Sequence, residues 1–278
     1  MIYIGLPTVE IVFFRTLLTT FILAGIILYA KHPFRYPKGD MFRMFSSGFL
    51  LSLFWILGTL AAKTANASVA AVGGATATLW VTLLSPLLTK QPPKAFQGLT
   101  ALNAVVGFYI IFNSDFEYDQ GLIYALLAGF VGAILMIQTA TFSKHNFPPI
   151  TVSFYQFFGA CIGTSVFIPI YVYLLPELSN GQFDTSMSFK DAALIVFMVL
   201  TFSIFAWSMF VKIMQTTSPF TVALVNNLTP IYAIIIAIFF FGRSELMNIG
   251  FYIGVIMLLA SVFAYPFLRR YYEQKHDI

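Results

Sequence analysis

SPFTVALVNNLTPIYAIIIAIFFFGRSELMNIGFYIGVIMLLA, Ser218 to Ala260, decides the architecture. It holds two apolar runs, each long enough to cross a hydrocarbon core of roughly 30 Å at about 1.5 Å per helical residue. A short polar turn around Gly242 to Glu245 joins them, so the stretch reads as a membrane hairpin. The same signal recurs along the rest of the chain. Apolar runs bounded by charge, proline and glycine predict helices at about 8–30, 45–63, 67–89, 95–113, 120–143, 149–174, 191–213, 219–241 and 246–268. Backbone groups cannot stay unpaired in lipid, and no run shows the short alternation of a membrane barrel. The expectation is an all-α, polytopic helical membrane protein with nine spans.

Composition agrees. The chain is 59% hydrophobic and 9% charged, against roughly 25% charged in soluble domains, and leaves no stretch for a separate soluble domain. The formal charge of +4 does not point to nucleic acid, because the basic residues fall in short loops and the tail, as is usual in membrane proteins. If the 31–44 loop is cytoplasmic, that side carries Lys31, Arg35, Lys38, Arg43, Lys90, Lys94, Lys144, Lys212, Arg269, Arg270 and Lys275. The opposite side carries only Lys63, Lys190 and Arg243. This bias sets the carboxyl terminus in the cytoplasm. The 114–120 connection, SDFEYDQ, is acidic, as an outward loop can be.

The chain also repeats itself. LPTVEIVFFRTL (Leu6–Leu17) aligns without gaps on FPPITVSFYQFF (Phe147–Phe158), matching Pro7 to Pro148, Phe13 to Phe154 and Arg15 to Gln156. NASVAAV (Asn66–Val72) is likewise similar to TTSPFTV (Thr216–Val222). Internal repeats of this kind are frequent in transporters. The expected division is a first repeat of four helices over 1–114, a second of five over 115–268, and a tail over 269–278.

The Ser218-Pro219 start, mid-helix Pro230, the Gly-x-x-Glu turn at Gly242–Glu245 and the glycine-containing last helix together resemble the EamA-type transporters of the drug/metabolite transporter superfamily. Pro7, Glu10 and Arg15 resemble the opening of the second helix in each half of that pattern. The resemblance implies a carrier of two five-helix halves that exports amino acids or related metabolites. By that standard the chain lacks its first helix, through truncation, a late start codon or real loss, and in-frame translation of the upstream DNA tests this. The first half also departs from the pattern. No proline in 67–89 matches Pro230, Trp80 or Thr78 standing there instead, and the turn KQPPK (90–94) lacks a glutamate matching Glu245.

Polar residues inside apolar spans are the candidates for function. Arg15 lies well within the first span, either lining a solute path, where it attracts a carboxylate or phosphate, or held by carbonyls and neighbouring helices. Gln156, with Tyr155 beside it, occupies the repeat-related position, and Gln138 lies midway along 120–143. Each amide serves either a cavity or an interhelical hydrogen bond. Asn226 and Asn227 precede Pro230, which removes a backbone donor and opens the helix near the Asn226 carbonyl. Trp55, Trp80 and Trp207 sit inside spans, where their indoles either wall a cavity or pack. The Gly159-x-x-x-Gly163 and Gly250-x-x-x-Gly254 spacings permit close helix approach, within the chain first and in a homodimer second.

No Walker loop, metal-ligand cluster or Ser/His/Asp constellation can be assembled, and His32, His145 and His276 all fall in loops or the tail. An enzyme, a metal site or a cofactor is therefore not expected, and no filter-like motif supports a channel. The expected function is secondary transport of amino acids or related anionic or zwitterionic solutes, with export as the direction that the resemblance implies. Alternating access would run around a central cavity lined by Arg15, Gln138, Tyr155, Gln156, Trp207, Asn226 and Asn227, in a bacterial inner membrane. The partners are the solute and membrane lipids. The competing readings are a non-transporting membrane scaffold, a lipid-interacting protein, or an inactive truncated carrier.

Overall fold

Helices begin where the sequence places prolines and short polar side chains. Thr8 and Pro149 open two helices directly after Pro7 and Pro148, and each proline carbonyl accepts a first-turn bond of 3.2 Å, from Ile11 N–H in one repeat and Val152 N–H in the other. Proline suits such a start because the missing N–H has no intrahelical partner there. Asn66 caps the helix at Ala67 by accepting from Val69 N–H at 2.8 Å, and Ser218 does the same for the helix at Pro219, accepting from Thr221 N–H at 3.2 Å. Ser188 and Asp191 form a reciprocal capping box.

The computed structural model describes residues 5–89, 95–114, 119–142, 147–174, 181–226 and 248–276, with 228, 229, 232, 233, 235, 236 and 239 between. Among these residues every regular element is helical: α1 (Thr8–Tyr29), α2 (Lys38–Thr64), α3 (Ala67–Ala75), α4 (Ala77–Thr89), α5 (Ala95–Ser114), α6 (Asp119–Thr141), α7 (Pro149–Leu174), α8 (Phe189–Thr216), α9 (Pro219–Asn226) and α10 (Ile249–His276). Within α8, Val199–Ala206 is wound as a π-helix. Five helices, α1, α2, α6, α7 and α8, are long and apolar enough to cross a membrane, with shorter apolar helices over Val69–Ser85 and Ile249–Ser261. The turn at Gly242–Glu245, Asn227, Pro230 and the KQPPK turn lie outside the described residues.

Three boundaries differ from the sequence reading. α2 starts at Lys38, because its polar first turn follows Pro37 ahead of the apolar run. α10 continues to His276, since charged and aromatic residues prolong a helix without adding to an apolar signal. The run at 67–89 breaks at Thr76, whose N–H bonds back to Gly73 O at 3.0 Å while its hydroxyl donates to the same carbonyl at 2.7 Å. A three-residue turn that doubly occupies one carbonyl ends α3.

The helices sort into two compact units, Met1–Thr59 with Gln138–Thr217, and Leu60–Ile137 with Ser218–Ile278. Each unit draws on both halves of the chain. In the first, Leu6, Ile11, Ile195 and Val199 form a core joining the start of α1 to α8. α7 lies against α2 so closely that a Cβ at Gly163 would sit 2.8 Å from Ser52 Oγ, and one at Gly159 would overlap the Phe45 carbonyl oxygen. The Gly-x-x-x-Gly spacing thus serves packing within the chain.

In the second unit Val69, Val72, Ala75, Leu122, Phe251, Val255 and Leu258 form the core. α5 and α10 are tied where Asn103 Nδ2 donates to Met257 O at 2.6 Å and Ser261 Oγ at 2.9 Å. The break at Thr76 has a repeat-related counterpart. Leu228 N–H bonds back to Val225 O at 3.0 Å, and residues 76 and 228 each lie ten positions beyond their caps, Asn66 and Ser218. Each half therefore carries a three-residue turn ten positions beyond a helix cap.

Candidate functional site

Arg15 is the largest fully buried side chain among the described residues, at 1% exposure. Its Nε donates to Ser203 Oγ, in the π-wound part of α8, at 2.7 Å, and its guanidinium carbon lies 3.7 Å from the centre of the Trp55 ring of α2. A cation over a desolvated indole face is worth about 2 kcal/mol. These contacts hold one edge and one face of the guanidinium. Nη2 has no hydrogen-bond partner among the described residues, and neither has Trp55 Nε1.

Gln156, fully buried, is bonded on both ends. Its Nε2 donates to Thr139 Oγ1 at 2.9 Å and to Ser47 Oγ at 3.3 Å, and its Oε1 accepts from Trp207 Nε1 at 2.9 Å. One amide thus joins α7 to α2, α6 and α8. Arg15 and Gln156, related by the internal repeat, both attach to α8, at Ser203 and at Trp207 four residues on. Ser208 and Ser153 add a further α8–α7 bond at 3.3 Å.

The remaining expected residues are placed as follows. Tyr155 ties α7 to the 31–37 loop, its hydroxyl bonding to the Phe34 carbonyl and to Met41 Sδ. Gln138 is half-buried, in the same unit, and its Oε1 has no partner among the described residues. Asn226 belongs to the second unit, half-buried at the last position of α9. Arg15, Tyr155, Gln156, Trp207 and Gln138 therefore share one unit.

Glu10 is also fully buried. It accepts from Asp184 N–H at 3.1 Å and is hydrogen-bonded with the Tyr171 hydroxyl of α7. Phe183 packs edge-on against Phe13, with centroids 5.7 Å apart, and Asp191 Oδ1 accepts from Gly5 N–H at 3.0 Å. The segment before α8 is thereby strapped across the start of α1. On its exposed side the hydroxyl and N–H of Ser186 hold the Asp184 carboxyl below the usual carboxylate range.

Sequence reasoning missed Ser203 and Ser47, because a serine in an apolar helix usually bonds its own backbone. It also missed the strap. Two hollows in the second unit, of about 480 Å³ between α5 and α10 and about 390 Å³ beside Trp80, contain none of the expected site residues. Among the described residues, no three His, Cys, Asp or Glu side chains gather as metal ligands.

No curated protein matches the chain. A solved structure described only as the crystal structure of a protein shares the fold with a TM-score of 0.69, at 12% identity, over 96% of this chain and 90% of its own. The EamA-like transporter family matches residues 2–113 and again 119–265, in step with the internal repeat. The helices, the doubled match and the buried polar residues fit together: this integral membrane protein belongs to the EamA-like transporter family.

Proposed function

We propose that the chain is a secondary transporter that exports small metabolites, amino acids or related anionic or zwitterionic solutes, by alternating access around a central cavity. Arg15 carries the reading. A guanidinium inside an apolar span is costly unless it is paired or faces a wet path. Its Nη2 has no acceptor among the described residues, so a donor and a positive charge are left for a solute anion. Gln138 keeps an acceptor in the same unit for a solute ammonium or hydroxyl.

In this reading Tyr155, Gln156 and Trp207 form the wall, their own bonds holding the helices in register, while Asn226 and, from its place in the sequence alone, Asn227 are the proposed contribution of the second half. The repeats span 1–114 and 115–268. The Lys and Arg bias supports a carboxyl terminus in the cytoplasm; a bacterial inner membrane is the proposed location and a homodimer the proposed assembly.

Counterflow of a panel of amino acids and small carboxylates into proteoliposomes tests the proposal. Wild type should give saturable flux, with Arg15→Ala and Asn226→Ala impaired at equal insertion. Full flux in both variants removes these residues from the site. No flux of any solute in wild type favours a scaffold, a lipid-interacting protein or an inactive carrier.

A further inference from the structure

Two buried N–H donors on stacked side chains, Arg15 Nη2 and Trp55 Nε1, have no acceptor among the described residues. Buried donors without acceptors are uncommon, because each forgoes the hydration it would have in water. Two of them on touching side chains, beside an uncancelled positive charge, mark a place that something else completes. The guanidinium cannot readily turn to another partner. Ser203 holds its Nε at 2.7 Å, and the indole lies against its face at 3.7 Å.

We infer that Arg15 and Trp55 form a binding site for one carboxylate group of the solute, and that the site selects monocarboxylates over phosphate dianions. The inference rests on the transporter reading only in calling that carboxylate the solute's. A carboxylate brings one negative charge and two acceptor oxygens. The side chains offer one positive charge and two donors. Arginine recognises carboxylate by hydrogen bonds that the charge strengthens, and the indole N–H, a donor only, is the kind of second partner that excludes cations. A phosphate dianion brings a second charge and a third oxygen. The described residues around the guanidinium supply no second cation, so that extra charge would be desolvated without compensation. Trp55 is thus the second contact beside Arg15, with its ring orienting the cation and its N–H donating to the anion, while the single charge of Arg15 sets the preference for a monoanion.

The experiment uses the purified full chain in nanodiscs, titrated with propionate, benzoate, methyl phosphate at about pH 8, where it is dianionic, and ethylammonium. Binding is read by intrinsic tryptophan fluorescence and by the rise in thermal midpoint that any ligand of the folded state produces. Both monocarboxylates should bind saturably, with methyl phosphate and ethylammonium at least tenfold weaker. Arg15→Gln should weaken carboxylate binding by about 10- to 100-fold, the range for losing a charged hydrogen bond. Trp55→Phe keeps the aromatic face and loses only the N–H, so it should weaken carboxylates about tenfold. Equal binding of methyl phosphate and propionate overturns the inference. So does unchanged carboxylate affinity in Trp55→Phe, or no saturable carboxylate response by either readout. Proteoliposome flux of the same panel separates the two readings. Flux without carboxylate preference overturns this inference and leaves transport standing, whereas carboxylate binding without any flux does the reverse.

Discussion

Replacing Gln156 with leucine removes the amide while nearly preserving side-chain volume, so the change isolates its hydrogen bonds from packing. Three bonds are lost, to Thr139 at 2.9 Å, Ser47 at 3.3 Å and Trp207 at 2.9 Å. Interhelical bonds in membrane proteins average about 0.6 kcal/mol each, which makes the direct loss about 2 kcal/mol. The two hydroxyls lose only a donor to their oxygens, which leaves little unpaired, and Ser47 Oγ still donates to Met44 O at 2.7 Å. The Trp207 indole N–H has no such recourse, and leaving a buried donor unpaired costs about 1–3 kcal/mol. The expected destabilisation is therefore about 3–5 kcal/mol, with the excess over the direct loss assigned to Trp207. Equilibrium unfolding in bicelles measures it, and the double variant Gln156→Leu/Trp207→Phe partitions it. Removing both partners should recover about 1 kcal/mol or more relative to the two single losses combined. A destabilisation below about 0.5 kcal/mol, or strict additivity in the double variant, would refute the account of Gln156 as the joint between four helices.

Other perturbations follow from the same geometry. Gly159→Leu should abolish stable folding, because any Cβ there overlaps the Phe45 carbonyl; retention of the wild-type thermal midpoint contradicts this packing. Glu10→Gln replaces an acceptor-only carboxylate with an amide and should loosen the strap, raising hydrogen exchange at the Asp184 amide by about tenfold. Unchanged exchange there argues against Glu10 as the anchor. Ser186→Ala should move the Asp184 titration up toward the ordinary carboxylate value. In the native chain the carboxyl's contribution is present above its unfolded pKa and fades as pH falls through its lowered folded one, and carboxyl NMR titration reads the shift.

How much of this was legible in sequence depends on whether the signal was local. Pro7 and Pro148 marked matching helix starts because proline's effect is confined to its own turn. Arg15 stood out because a guanidinium in an apolar run is rare, and Gln156 stood out through alignment with it. Their partners were hidden. Ser203 lies 188 residues from Arg15 and Ser47 lies 109 from Gln156, and nothing in an isolated serine announces which helix it will meet. The π-winding of Val199–Ala206 follows from neither composition nor period. The break at Thr76 has a cue in Gly73-Gly74, but proline, the stronger local signal for an interruption, stands mid-run only in the other half, at Pro230, with Pro86 nearer the end of its run. The sequence leaves Gln156 either facing a cavity or bonding another helix, and in the structure its amide makes three interhelical bonds.

Counterflow of a radiolabelled monocarboxylate into proteoliposomes, wild type against Arg15→Gln at matched insertion, tests the central claim most directly. Saturable uptake that falls by about tenfold or more in the variant is the predicted result. Uptake of equal rate and affinity in both would contradict the claim that the buried guanidinium receives the solute.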